Sequence, residues 1–330
     1  MITVYSRING RVIEQPLTAG EPLPAGAIWI DLLRPDDAER RAVAAALGCE
    51  LPTREEMREI EASSQVYVED GAIYLSASVR ARADTPDPDP RELTFDSTHG
   101  RDATLRFPEP RSISAFAART NRQPELLASA EDALLGLLDA VIDRVADVLE
   151  LVGARIDALS AQVFRDGPES RGVKRSSPRS GELKDVMRGV GRAGDLTHKV
   201  RDSLASLDRL AAFLTTAAGD RLNKDQKIQL KTLARDLRSL NEHSGFLAHE
   251  INFLLDATLG LINIEQNTII KRFSVAAVAF LPPTLIASSY GMNFQHMPEL
   301  EWQWGYPMAL AMMALSAAAP LGWFKRRGWL

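Results

Sequence analysis

The chain has 330 residues, a formal net charge of −5 and a single cysteine, Cys49. That length allows about two domains at roughly 150 residues each, and the small negative charge argues against nucleic-acid binding as the main role, which favours a basic stripe. One cysteine excludes an intrachain disulfide and any multi-cysteine metal site within one chain; the five histidines show no HExxH spacing, and the opening MITVYSRING has no apolar signal core, so no cleaved secretory peptide is expected.

The N-terminal part mixes strands and helices. ITVYS, AIWIDL and AIYLSASVRA are rich in β-branched and aromatic residues and predict strands. Asp36 to Leu47, after Pro35, predicts a helix. Thr53 to Ala62 predicts another, with Thr53 as cap and Glu56 three residues on. TPDPDP is a loop, because repeated prolines remove backbone donors. TFDSTHGRDATLRFPEP predicts a turn or hairpin through HGRD. Residues 1–130 are thus expected to form an α+β cytosolic domain, a mixed sheet with flanking helices.

From about Pro124 the pattern turns helical, and 131–272 predicts long cytosolic helices ending in a stalk. Leu134, Leu138, Val141, Val145, Val148, Val152 and Ile156 keep the spacing of one helix face. Asp166 to Gly181 breaks it with Gly, Pro and Ser, as a hairpin tip does. A last helix starts near Asp225. Leu230, Leu233, Leu237, Leu240, Leu247, Ile251, Leu254 and Leu261, with Ser244 and Thr258 in the gaps, form a heptad-like seam that a neighbouring helix of the same chain would cover. Continuous from Asp225 to Asn293, that helix would run on the order of 100 Å.

Residues 273–330 differ in kind. Phe273–Asn293 and Gln303–Phe324 carry no charge, and at ~1.5 Å per residue each spans the ~30 Å hydrocarbon layer. They predict transmembrane helices at 273–293 and 303–324, an outer loop at 294–302 and a basic tail at 325–330. Lys271 and Arg272 precede the first run and Lys325, Arg326 and Arg327 follow the second, while the loop holds only Glu299 and Glu301. By the positive-inside rule both termini are cytosolic, and Trp302, Trp304, Tyr306, Trp323 and Trp329 suit the interfaces. On the first membrane helix, Asn267, Ile270, Ser274, Ala277, Leu281, Thr284, Ser288 and Gly291 make a stripe that is small or polar apart from Ile270 and Leu281. Such a stripe lets helices pack closely or lines water; one hairpin encloses no pore, so a conduit requires several subunits around an axis. Pro282 and Pro283, mid-membrane, remove donors and allow a bend.

YGMNF, Tyr290 to Phe294, followed by MPEL, WGYP and the tail KRRGWL, resembles the signature of the CorA-type magnesium transporters. The likeness extends through WIDLLRP, LPTREEMREIEASS, YVEDGAIYLSA and VGRAGDLTHKVRDSL, and so covers most of the chain. It implies a funnel-shaped homopentamer in the cell inner membrane with the first membrane helix lining one pore. It implies a selectivity filter at Gly291, Met292 and Asn293, pore-facing positions at Asn267, Leu281 and Thr284, and a basic collar of Lys271, Lys325, Arg326 and Arg327 at the cytosolic mouth. It also implies gating by cytosolic magnesium bound between subunits. The regulatory ligands cannot be chosen from sequence; Asp236 is one candidate. Ile270 and Leu281 are candidate hydrophobic constrictions, and Glu299 and Glu301 either concentrate cations by their field or belong to an ordinary solvated loop.

The expected function is magnesium influx, with cobalt and nickel as further cations. The alternatives are a zinc or other divalent-metal transporter of the same superfamily, and a membrane-anchored scaffold or signalling protein. Neither a GxxxxGK[ST] phosphate loop nor a nucleophile elbow occurs, so an enzyme is not expected. No cofactor is expected beyond magnesium as cargo and regulatory ligand. The expected partners are further copies of the chain, membrane lipid and divalent cations, with no nucleic acid.

Overall fold

A computed structural model of the chain describes residues 1–58, 65–79, 92–98, 100–107, 111–164, 180–292 and 302–328. The chain divides into two compact units, Met1–Glu169 with Val186–Leu254, and Ser170–Asp185 with Leu255–Leu330.

The first unit opens with β1 (Ile2–Ile8), β2 (Arg11–Leu17) and β3 (Ala27–Leu33), then helix α1 (Asp37–Leu47). Asp36 caps α1 by accepting from the amides of Ala38 and Glu39, while Glu39 accepts from the Asp36 amide, a reciprocal capping box. Strands β4 (Val66–Glu69), β5 (Ala72–Ser78), β6 (Glu92–Thr98) and β7 (Arg101–Arg106) follow, then α2 (Arg111–Thr120) and α3 (Ala130–Phe164). The sheet order is β2-β1-β3-β7-β6-β5-β4. Among the described residues only β3 and β7 pair in parallel; the other neighbours are antiparallel. The sheet is therefore mixed, as expected.

The register sorts side chains onto two faces, because successive residues of a strand point to opposite sides. One face carries Ile2, Val4, Ile30, Leu32, Ala103 and Leu105, packed with Val43 of α1 and with Leu51 and Met57. The other holds a polar line sealed inside the protein. Trp29 stacks on Tyr5 at 4.1 Å and meets Phe116 of α2 edge-on at 5.5 Å. Its indole Nε1 donates to Thr104 Oγ1 at 3.0 Å, and Thr104 donates to Asp31 Oδ1 at 2.8 Å. Arg106 grips the same carboxylate twice, through Nε at 2.8 Å and Nη2 at 2.6 Å. This fork joins β3 to β7, the parallel pair on which the sheet's topology turns.

Two strands and the helix α2 escape the sequence pattern. β2 is an edge strand with exposed and half-buried residues throughout and Pro16 inside it, so no alternation marks it. β4 is four residues long. The segment from Thr53 keeps its expected reciprocal cap, Thr53 amide to Glu56 Oε2 at 2.8 Å and Glu56 amide to Thr53 Oγ1 at 3.3 Å. Its described part is a short 3-10 turn, Glu56–Arg58, and residues 59–62 lie outside the described residues, as does nearly all of the expected hairpin tip.

Long helices complete the unit: α3, α4 (Ser180–Ala217) and the first part of α5 (Lys224–Tyr290). Asn223 and Gln226 cap α5 reciprocally, and Gln226 Nε2 also donates to Ser129 and Asp132 at the start of α3. The seam along α5 is covered within the same chain. Leu230, Leu233, Leu237, Ser244, Leu247, Ile251 and Leu254 are buried, Leu247 against Gly153 of α3 and Ile251 against Gly194 of α4. The second unit contains the remainder of α5 and α6 (Gly305–Arg326). α5 is helical as far as Tyr290, and Gly291 and Met292 follow it as a turn and a bend; Asn293 lies outside the described residues.

Candidate functional site

α5 and α6 each contain an 18-residue stretch long and apolar enough to cross a bilayer, and only 11% of each stretch is buried within the chain. A core helix of a soluble protein would be mostly covered, so these surfaces call for lipid or for other copies of the chain.

α5 of the second unit has two opposite faces. Val275 and Ala279 are buried, with Lys271, Pro282, Pro283, Ile286 and Tyr290 half-buried on the same side. At about 100° per residue, the stripe Asn267, Ile270, Ser274, Ala277, Leu281, Thr284 and Ser288 falls on the far side, and all seven residues are exposed. Large apolar side chains flank it, Phe273 and Phe280 on one edge, Val278 and Leu285 on the other. A small and polar strip bordered by exposed hydrophobics on both sides fits a wall that meets water at its centre and apolar neighbours at its margins.

The helix runs through Pro282 and Pro283. Their missing N–H groups remove the i→i−4 bonds to the carbonyls of Val278 and Ala279. One turn above Phe280, Thr284 Oγ1 donates to the Phe280 carbonyl at 2.8 Å. That commits the hydroxyl hydrogen to the backbone and leaves the oxygen lone pairs to act as an acceptor on the stripe. The sequence places Thr284 on this face; the direction in which its hydroxyl donates is visible only in the fold.

At the end of α5 the Gly291 amide donates to Ala287 O at 2.9 Å, and the Met292 amide to Ser289 O at 3.4 Å. A Cβ on Gly291 would lie 3.2 Å from the Ala287 carbonyl oxygen, so glycine eases this last turn. Gly291 and Met292 thus close the striped helix, with Met292 exposed. Asn293, Glu299 and Glu301 lie outside the described residues. Lys325, Arg326 and Arg327 are exposed at the far end of α6.

In the first unit, Asp236 interacts with Asp143, whose carboxyl burial pushes up, with Asp139, Asp147 and Asp236 adding to the effect and Arg119 opposing it. Asp139, Asp143 and Asp147 follow one another at four-residue spacing on one face of α3. Among the described residues, no three histidine, cysteine or carboxylate side chains of one chain converge on a point where a metal would sit.

The profile of the CorA-like Mg2+ transporter protein family matches residues 24–326. The chain is 36% identical to the magnesium transport protein CorA of Escherichia coli strain K12, and 38% identical to that of Pasteurella multocida strain Pm70, each over 100% of both chains. The chain belongs to the CorA family. CorA-family proteins are ion transporters and not enzymes. The CorA fold is also seen directly. The complete structure of the CorA magnesium transporter from Methanocaldococcus jannaschii superposes with a TM-score of 0.77 at 17% identity, covering 100% of this chain and 99% of that one. The full-length CmaX protein gives 0.65 at 16% identity, covering 98% and 96%.

Proposed function

We propose that this CorA-family chain carries magnesium inward across the cell inner membrane as a funnel-shaped homopentamer, with both termini in the cytosol. The observation that carries this reading is the stripe from Asn267 to Ser288. It is wholly exposed in the single chain, opposite the buried face, and runs to Gly291. Copies arranged around an axis turn such stripes toward one another and enclose a wet path. The relatives over the full length bear the name magnesium transport protein, which supports magnesium as the cargo.

The chemistry suits that ion. Magnesium dehydrates reluctantly and keeps its waters, whose hydrogens point outward and seek acceptors. The Gly291 carbonyl and the Asn293 side-chain carbonyl form the filter with Met292, and the Thr284 oxygen continues the acceptor surface along the pore. Neutral oxygens hold the hydrated ion without the tight grip of a carboxylate cage, as conduction requires. Ile270 and Leu281 form the dry constrictions. Glu299 and Glu301 gather cations outside, and Lys271 with the basic tail sets the field at the cytosolic mouth. Inward movement is driven by the membrane potential, ~4.6 kcal/mol for a divalent ion at about 100 mV. Cytosolic magnesium bound between subunits closes the pore. Cobalt and nickel pass by the same route.

Purified protein in liposomes tests the proposal. Magnesium influx driven by an inside-negative potential and blocked by cobalt hexaammine is the expected result. Proton-coupled zinc flux without magnesium flux would reassign the cargo, and no divalent flux at all would leave the hairpin as an anchor.

A further inference from the structure

The exposed stripe of α5 does not begin at Asn267. Four residues earlier stands Asn263, also exposed. Turning by about 100° per residue, it lies about 40° round the helix from Asn267 and about 140° from Thr258, which is fully buried on the covered side. Ile264 is exposed beside it, so the pattern of a polar strip with an apolar margin continues. A Cβ built on Gly260, three residues before, would meet nothing within 4 Å, and the chain itself leaves the space next to Asn263 open. Glu265 is the only acidic residue between Asn263 and Ser288. It is half-buried and sits about 160° from Asn267. The polar groups of this end of the stripe are therefore two neutral amides, one turn apart.

We propose that Asn263 and Asn267, contributed by every copy around the axis, form two stacked amide rings that hold one fully hydrated divalent cation on the cytosolic side of Ile270. This site deepens the transport reading above and rests on it, since one chain supplies only an edge of each ring. The spacing suits the ligand. Four residues raise the helix by about 6 Å. Magnesium holds its octahedral shell of water at about 2.1 Å, and a hydrogen bond from each water reaches an acceptor roughly 2.8 Å farther out. Along the threefold axis of that octahedron, the outer acceptors fall in two layers roughly 5.7 Å apart. The Asn263 carbonyls accept from the lower three waters and the Asn267 carbonyls from the upper three. A cation stripped of its shell is too small to reach both layers, so the rings favour an ion that keeps its water. Neutral oxygens also let it go again, as conduction requires.

The test records inward magnesium current through the full-length protein in excised inside-out membrane patches. Cobalt hexaammine, an octahedral mimic of the hydrated ion whose shell cannot be shed, is added at the cytosolic face. The wild type is expected to be blocked from this side. Asn263→Ala removes one ring of acceptors and should raise the half-blocking concentration by roughly tenfold, the worth of about one net hydrogen bond. Asn263→Asp puts a carboxylate in the same place and should lower it by roughly as much. A residue that only shaped the helix would not shift the block in opposite directions. A wild type insensitive to the cytosolic compound, or block that is unshifted or shifted the same way in both variants, would overturn this site alone. A wild type without magnesium current would overturn the site and the transport reading together.

Discussion

The Thr284 hydroxyl donates to the Phe280 carbonyl at 2.8 Å, one helical turn away and beside the paired prolines. The threonine oxygen is thereby turned into an acceptor on the exposed stripe. Thr284→Val keeps the β-branched shape and removes that oxygen. The expected outcome is an assembled protein with magnesium influx reduced by roughly tenfold, about 1.4 kcal/mol, measured as initial flux in liposomes. Thr284→Ser, which retains the hydroxyl, should stay near wild type. Equal flux in the valine variant would remove this oxygen from the path.

Gly291 and Asn293 are predicted to act together at the pore entrance. A Cβ on Gly291 would press on the Ala287 carbonyl from 3.2 Å, and alanine favours continuing the helix where glycine eases its end. Gly291→Ala should lower uptake by roughly tenfold, about 1.4 kcal/mol, with assembly judged by size-exclusion chromatography unchanged. Asn293→Ala should lose selective uptake in the same assay while the protein still assembles.

The buried fork between Asp31 and Arg106 makes a stability prediction. Asp31→Asn leaves the guanidinium of Arg106 without its counter-charge inside the protein, and losing one partner of a buried pair costs about 3–5 kcal/mol. Thermal unfolding of the full-length protein in detergent should show a clearly lower midpoint. Replacing both partners, Asp31→Leu with Arg106→Met, should recover much of the loss, because no charge is then stranded.

Asp96 on β6 is fully buried, and neither carboxylate oxygen has a hydrogen-bond partner. Burial holds its carboxyl well above the usual carboxylate range, so the folded protein keeps the proton after the unfolded chain has released it. Below the unfolded value of about 4 the group makes no pH-dependent difference. As pH rises above that value stability falls, by at most about 1.4 kcal/mol per pH unit from this group, until the folded carboxyl ionises. Asp96→Asn should remove that slope, so the variant gains on the wild type as pH rises from about 4. Midpoints measured from pH 4 to 8 that keep a constant difference would contradict this.

Several features were legible in the residues alone because they depend on neighbours in the chain. The two uncharged runs from Phe273 and from Gln303, the spacing of the stripe from Asn267 to Ser288, the cap at Thr53 and the leucine seam of α5 all follow from local periodicity and hydrogen-bond reach. β2 was not legible, since an exposed edge strand containing Pro16 has no buried face to impose alternation. The tertiary structure alone decided which strands pair. The single parallel contact of β3 with β7 joins residues more than seventy positions apart, and the Asp31–Arg106 fork exists only once that contact has formed. It also decided that the α5 seam is covered by α3 and α4 of the same chain while the stripe stays bare. Sequence order specifies which face of a helix or strand a residue occupies; what that face meets depends on contacts closed over long loops.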